Sequence, residues 1–274
     1  MENKVIVITG ASSGIGKSSA AYLASKGYTV YGTSRHASLP PKSNDSDSFF
    51  MIKMDIDDDV SVNKAIQYII KKEGRIDVLV NNAGWGISGA IEETSLDLAK
   101  SLFETNFFGQ LRSCNAVLPS MREQRHGLII NISSIGGILG LPFQGLYSAT
   151  KFAVEGLTEA LRMEVKEYGL NIVLVEPGDF KTSFTRRRKK ISTINKKSVY
   201  QNKAMKTMAV VEHDEQQGSS PVKIAYLLEK IICSSHPKIR YQVGSFSQKF
   251  IAKMKGVFPG KFTQWILMKY YKIL

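Results

Sequence analysis

Seven short apolar runs rich in β-branched residues recur along this chain, separated by stretches whose apolar residues return every three or four positions. The runs are VIVIT from Val5, YTVYGTS from Tyr28, FFMIKMDI from Phe49, DVLVNNA from Asp77, GLIINISS from Gly127, NIVLVEP from Asn171 and IRYQV from Ile239. Most are apolar almost throughout, as strands are when helices cover both faces of a parallel sheet. The stretches between them, such as GKSSAAYLASKG and ATKFAVEGLTEALRMEVKEYG, read as helices that stop at glycine. The alternation predicts an α/β chain with three layers, a doubly wound seven-stranded parallel sheet between helices.

With 274 residues, 43% of them apolar and 22% charged, the chain has enough material for a full core. No Pro/Gly/Ser linker divides it, so one domain over 1–274 is expected. The segment HASLPPKSNDSDS reads as a surface loop between the second and third strands. Only Cys114 and Cys233 occur, and MENKVIVITG enters a strand without a charged-then-apolar leader, which together imply a reduced, cytoplasmic setting. The least polar long stretch, GLIINISSIGGILGLPFQG, is broken by Asn131, Ser133, Ser134 and glycines, so no membrane-spanning helix is expected.

The net charge of +13 is concentrated. Ten Lys or Arg and no acid lie between Phe180 and Val211, and nine more with no acid lie between Lys230 and Leu274, which leaves the remainder of the chain at −6. The basic character belongs to two late segments, a polar insertion at about 183–218 and a basic, aromatic C-terminal extension at about 245–274.

TGASSGIG directly follows the first strand and opens a helix. Its glycines, Gly10, Gly14 and Gly16, permit a tight turn, and free N–H groups over Ser12, Ser13 and Ile15 at the helix start attract a pyrophosphate. The spacing is TGxxxGxG, not GxGxxG. Further motifs follow in order: Asp55 after the third strand, NNAG at Asn81 to Gly84, Asn106, Ser134, YSATK at Tyr147 to Lys151, and PGDFKT at Pro177 to Thr182. Jointly they cover the first two-thirds of the chain and resemble the short-chain dehydrogenase/reductase family, most closely its hydroxysteroid- and retinol-dehydrogenase-like members. That resemblance implies a Rossmann-type nucleotide-binding fold and no metal. It also implies that Asp55 and Ile56 flank the adenine, that Asn82, Ala83 and Gly84 lie at the adenosine ribose, and that Phe180 and Thr182, after Pro177 and Gly178, hold the nicotinamide carboxamide.

Cofactor choice turns on the end of the second strand, where an acid would bond a ribose 2′-hydroxyl and repel a 2′-phosphate. Ser34 removes that repulsion, and the guanidinium of Arg35 offers charge-assisted bonds to phosphate. NADP(H) is therefore favoured, with NAD(H) the alternative.

Tyr147 and Lys151 are four apart in a helical stretch, which stacks them on one face. A nearby ammonium and an oxidised nicotinamide both favour phenolate, which makes tyrosine a workable acid and base near neutrality. The alkoxide-like oxygen formed or consumed by hydride transfer needs a donor. Ser134, thirteen residues before Tyr147 as in the family, is the candidate, whereas Ser133 should face away. Asn106 resembles the family's asparagine that holds a water linking lysine to solvent. Both Asn106 and the Tyr147/Lys151 pair are therefore expected in the cofactor site and the catalytic set.

Substrate specificity is left to the late segments. TRRRKK, from Thr185 to Lys190, suits an acidic substrate group, anionic lipid or plain solvent. The C-terminal mixture of lysines with Phe250, Phe258, Phe262 and Trp265 suits a membrane surface, a helix closing the substrate pocket, or a subunit interface. The family likeness implies a hydrophobic alcohol or ketone, such as a steroid, retinoid or acyl chain, and a homodimer or homotetramer. A 3-oxoacyl carrier-protein reductase is the competing enzyme, against which stand Ser13, where such reductases often carry arginine, and the longer C-terminus. Outside enzymes, a non-catalytic NADP-binding sensor or a membrane-surface binder are the alternatives; nucleic acid is not an expected partner.

Overall fold

The structure is a computed structural model and describes residues 4–39, 49–191 and 198–274. Most of the loop predicted at HASLPPKSNDSDS and the first three residues lie outside the described residues. The strands are β1 (Val5–Ile8), β2 (Thr29–Ser34), β3 (Phe50–Lys53), β4 (Val78–Asn81), β5 (Ile87–Ser88), β6 (Gly127–Ile132), β7 (Leu170–Pro177), β8 (Lys189–Lys190) and β9 (Arg240–Val243). All seven runs read from the sequence form one parallel sheet in the order β3-β2-β1-β4-β6-β7-β9. β5 and β8 form a separate two-residue ladder, pairing Ile87 with Lys189 and Ser88 with Lys190.

The helices are α1 (Gly14–Ser25), α2 (Asp59–Glu73), α3 (Leu96–Phe103), α4 (Gly109–Gln124), α5 (Gly145–Glu164), α6 (Phe184–Arg187), α7 (Gln201–Gln216), α8 (Val222–Ile232), α9 (Phe246–Met254) and α10 (Gly260–Tyr270). Strand alternation sends Val5 and Val7 to one face, where they meet Ile66 of α2, Val117 of α4 and Leu161 of α5. Ile6 and Ile8 point the other way, onto Leu23 of α1 and Leu228 of α8. Each such buried aliphatic side chain contributes about 1.5–3 kcal/mol, so both faces hold the sheet. The three-layer doubly wound α/β fold is thus the one expected.

Strand order reverses between β1 and β4, and the chain leaves their carboxyl ends in opposite directions. A cleft opens there, as at the ligand sites of other open α/β sheets. Two late segments wall it. The insertion predicted at about 183–218 is more regular than its polar sequence implies, because it carries α6, β8 and the 16-residue α7; residues 192–197 lie outside the described residues. The C-terminal extension forms α9 and α10, with Leu267 packed on Leu139 and Leu141. Among the described residues no helix is long and apolar enough to cross a membrane.

Candidate active site

The cleft has a volume of about 680 Å³. Its first wall is the turn after β1. Thr9 is buried and clips β1 to β4, its Oγ1 accepting from the N–H of Asn82 at 3.0 Å and of Ala83 at 2.9 Å. Gly10 has φ +68°, and a Cβ there would stand 2.9 Å from the Ala83 Cα. At Gly16 a Cβ would come within 2.5 Å of Asn82 Nδ2 and 2.6 Å of the Gly10 carbonyl, so a side chain at either place would break the turn. α1 then begins at Gly14 with no side-chain cap from Ser13, which leaves its first N–H groups for an anion.

Gly10, Ser12, Ser13, Gly14 and Ile15 line the cleft with Ser34, Arg35, Asp55 and Ile56 at one end. Asn82, Ala83 and Gly84 follow, then Pro177, Gly178, Phe180 and Thr182 beside Ser134, Tyr147 and Lys151. Two residues expected in the site stand behind it instead. Gly16 packs beneath the turn, and Asn106 is fully buried.

Asn106 lies in a π-helical turn, Glu104–Phe108, between α3 and α4, a distortion frequent at functional sites. Its Oδ1 accepts from the Trp85 N–H at 3.0 Å, and its Nδ2 donates to the Trp85 carbonyl at 2.9 Å and to Thr150 Oγ1 at 3.2 Å. Both amide hydrogens are therefore engaged within the protein. A Cβ on Gly84 would lie 3.0 Å from Asn106 Oδ1, a tight contact, and 4.0 Å from Lys151 Nζ.

Tyr147 and Lys151 project from the first turns of α5. Ser134, just past β6, lies beside the Tyr147 phenol and accepts from the Gly136 N–H at 3.0 Å. Ser133 turns toward Glu155 instead. Burial pushes the phenol of Tyr147 above its ordinary value; Ser134 and the Arg188 charge pull it down, and Glu215 and Asp179 push it up. The phenol therefore carries its proton at neutral pH. Lys151 donates to the Ile132 carbonyl at 2.8 Å, and burial brings its ammonium down to about 8 against the opposing pull of Glu155.

Beside Tyr147 the cleft has both apolar and polar walls: Leu139, Leu141, Val211 of α7, Ile251 of α9 and Leu267 of α10, with Asp214, Glu215, Gln248 and Tyr270 from the same helices. Phe184 tilts over Tyr147 with ring centroids 5.6 Å apart. Sequence reading did not single out Phe184 or Glu215, and named Asp179, Arg187 and Arg188 only as parts of PGDFKT and TRRRKK; all five line this end. TRRRKK is not simply a solvated run. Arg188 is buried and paired with Glu215, whereas Arg186 and Arg187 are both exposed, and Arg187 donates to Ser13 Oγ at 2.8 Å. What placed them was the β5/β8 ladder, a pairing across about a hundred residues that no local pattern announces. Among the described residues no group of three His, Cys, Asp or Glu is arranged to hold a metal.

Residues 4–192 match the short chain dehydrogenase family. The chain is 42% identical over 273 residues to a 3-ketodihydrosphingosine reductase of Bacteroides thetaiotaomicron, covering all of both chains. It is 33% identical over 266 residues to retinol dehydrogenase 8 of Bos taurus, covering 91% of this chain and 84% of that protein. The crystal structure of a short-chain dehydrogenase from Streptomyces avermitilis superimposes with a TM-score of 0.81 at 31% identity, covering 98% of each chain. A nucleotide cleft at the strand switch point, a Ser–Tyr–Lys cluster at its inner end and matches of this length have one explanation: the chain belongs to the short-chain dehydrogenase/reductase family, oxidoreductases that bind NAD(P) and act on CH–OH or C=O groups of small molecules.

Proposed function

We propose that this enzyme uses NADPH to reduce the ketone of a long-chain 2-amino-3-keto alcohol, the chemical class of 3-ketodihydrosphingosine. The observation that carries the reading is the group of apolar side chains on the cleft wall, Leu139, Leu141, Val211, Ile251 and Leu267. It suits an alkyl chain whose polar head is at the Ser134–Tyr147 pair. Support comes also from the 42% identity, over the full length of both chains, to a relative named for that activity. α9 and α10 bring Ile251, Leu267 and Tyr270 to the walls of the cleft.

The residues fit the cofactor. The uncapped start of α1 faces the cleft to receive a diphosphate, and Gly10 and Gly16 leave the space that a Cβ would fill. Asp55 and Ile56 would flank the adenine, and Asn82, Ala83 and Gly84 the adjoining ribose. Pro177, Gly178, Phe180 and Thr182 would border the nicotinamide. Ser34 and Arg35 favour a 2′-phosphate, and so NADPH over NADH.

Bound NADPH supplies the hydride. The carbonyl oxygen accepts hydrogen bonds from Ser134 and Tyr147, and Tyr147 Oη gives its proton to that oxygen as negative charge develops there. The raised phenol suits this direction, since the group arrives protonated. The Lys151 ammonium stabilises the phenolate that is left. Asn106 fixes Trp85 and Thr150 and so holds the floor beneath Gly84 and the start of α5.

The reading also takes the chain as one catalytic unit with α6 and α7 as its lid. Exposed Leu96, Phe108, Phe152 and Met163 on α3 to α5 suit pairing of copies, and exposed Val257, Phe258, Phe262 and Trp265 among lysines suit a membrane that holds the substrate. The test is NADPH and NADH consumption with long-chain amino ketones, steroids, retinals and acyl ketones. The reading expects fastest turnover with NADPH and the amino ketone; no turnover of that ketone refutes it.

A further inference from the structure

The cleft has an unusual inner wall. In a chain of net charge +13, three carboxylates, Asp179, Asp214 and Glu215, face the cleft near Tyr147. Two are engaged: Asp179 accepts from Gln248 Nε2, and Asp214 accepts from the Tyr270 hydroxyl at 2.6 Å. Glu215, in the last turn of α7, is 9% exposed; its Oε1 accepts from Arg188 Nη2, and its Oε2 is buried without a hydrogen-bond partner. Arg188 is 5% exposed, and its Nε and Nη1 are likewise buried and unpartnered. An ion pair buried with three such atoms unsatisfied is costly unless another molecule completes it.

The pair lies one ring from the reacting centre. The Arg188 guanidinium is 5.4 Å from the centroid of Phe184, whose ring lies 5.6 Å from that of Tyr147. The other cations lining this part of the cleft are turned elsewhere, Arg187 to Ser13 and Lys189 over the Trp85 ring at 4.8 Å. Lys151, beside Tyr147, donates to the Ile132 carbonyl. A plain anion could use the free Arg188 N–H groups but would be repelled by the free Glu215 oxygen. A group carrying a cation and a hydroxyl on adjacent carbons satisfies both.

Resting on the function proposed above, we infer that Glu215 Oε2 accepts from an ammonium on the carbon beside the reacting ketone, while Arg188 Nε and Nη1 donate to the neighbouring primary hydroxyl. The pair is then a specificity device: it binds the polar head of a β-amino alcohol and aims the ketone at Tyr147. Charge-assisted hydrogen bonds in a dry site are the stronger kind, so the ammonium should be worth about 10- to 100-fold in kcat/KM over a substrate lacking it.

The test is steady-state kinetics with NADPH on two ketones of equal chain length, the 2-amino-1-hydroxy-3-ketone and its counterpart without the amine. Wild type should prefer the amino ketone by about tenfold or more. Glu215→Gln should bring that ratio close to one, and Glu215→Asp should restore part of it. The double variant Arg188→Met/Glu215→Gln, which removes both charges together, should lose the preference as well. The ratio is insensitive to a general loss of folded enzyme, and binding of the amino diol product, followed by isothermal titration calorimetry, should weaken in parallel without any turnover. A Glu215→Gln enzyme that keeps the wild-type ratio overturns the inference. So does a wild type that reduces both ketones equally, although ketone reduction then stands. Reduction of neither overturns the function and the inference together.

Discussion

Lys151 offers a prediction in which catalysis and stability move in opposite directions. Its ammonium is 4% exposed, and burial has brought it from 10.5 to about 8. Below pH 8 both folded and unfolded chains hold this proton, and the folded state bears the whole cost of burying the charge. From about 8 to 10.5 the unfolded chain binds a proton that the folded chain has released, so stability rises with pH; above that it is level again. The gap of about 2.5, at about 1.4 kcal/mol per pH unit, is about 3 kcal/mol, of which about 2 kcal/mol is recovered between pH 7 and 9.5. Lys151→Met removes the titration. It also removes the hydrogen bond to the Ile132 carbonyl, a loss of about 1–3 kcal/mol that does not vary with pH. Urea unfolding of both proteins from pH 7 to 9.5 should therefore show wild type gaining about 2 kcal/mol on the variant as pH rises. Turnover by the variant should fall about 10²- to 10⁴-fold. A wild type–variant difference that stays constant over this range would refute the reasoning, since Lys151 would then titrate as an ordinary exposed lysine.

Other consequences are as direct. Arg240 on β9 bridges Glu155, Glu159 and the fully buried Glu176 carboxylate; Arg240→Met should destabilise the fold by about 3–5 kcal/mol, read as a lowered urea midpoint with an unchanged slope. Arg35→Ala should weaken NADPH binding about tenfold and NADH binding little, whereas equal weakening of both would place the 2′-phosphate elsewhere. With vesicles containing anionic lipid at low salt, the enzyme should co-sediment, and Phe258→Ser/Trp265→Ser should release it; wild type left in the supernatant would remove the membrane contact.

The sheet was legible because its inner strands are buried on both faces, so their apolar runs stand out even at four residues, as in VLVN of β4. The nucleotide turn was legible because glycines are dictated by close approach, at Gly10 to Ala83 and at Gly16 to Asn82. α7 was not legible. Its buried face is Ala204, Thr207, Met208, Val211 and Glu215, correctly spaced for a helix but too small and polar to show as an apolar stripe. The fates of Arg186, Arg187 and Arg188 were hidden for a different reason. Three identical residues in a row end in solvent, on the glycine-rich turn and in a buried ion pair, and that sorting depends on the β5/β8 ladder and on α7. Asn106 was found by its motif, but the engagement of both its amide hydrogens by Trp85 and Thr150 follows from the π-helical turn, which local sequence does not specify.

The central claim, that Tyr147 delivers a proton to a ketone oxygen at this cleft, is tested by comparing wild type with Tyr147→Phe on a long-chain 2-amino-3-ketone. NADPH consumption and NADPH binding are to be measured side by side. The account predicts consumption by wild type, a fall of about 10²- to 10⁴-fold in the variant, and similar affinity of both proteins for NADPH. A Tyr147→Phe enzyme that turns over at the wild-type rate contradicts it.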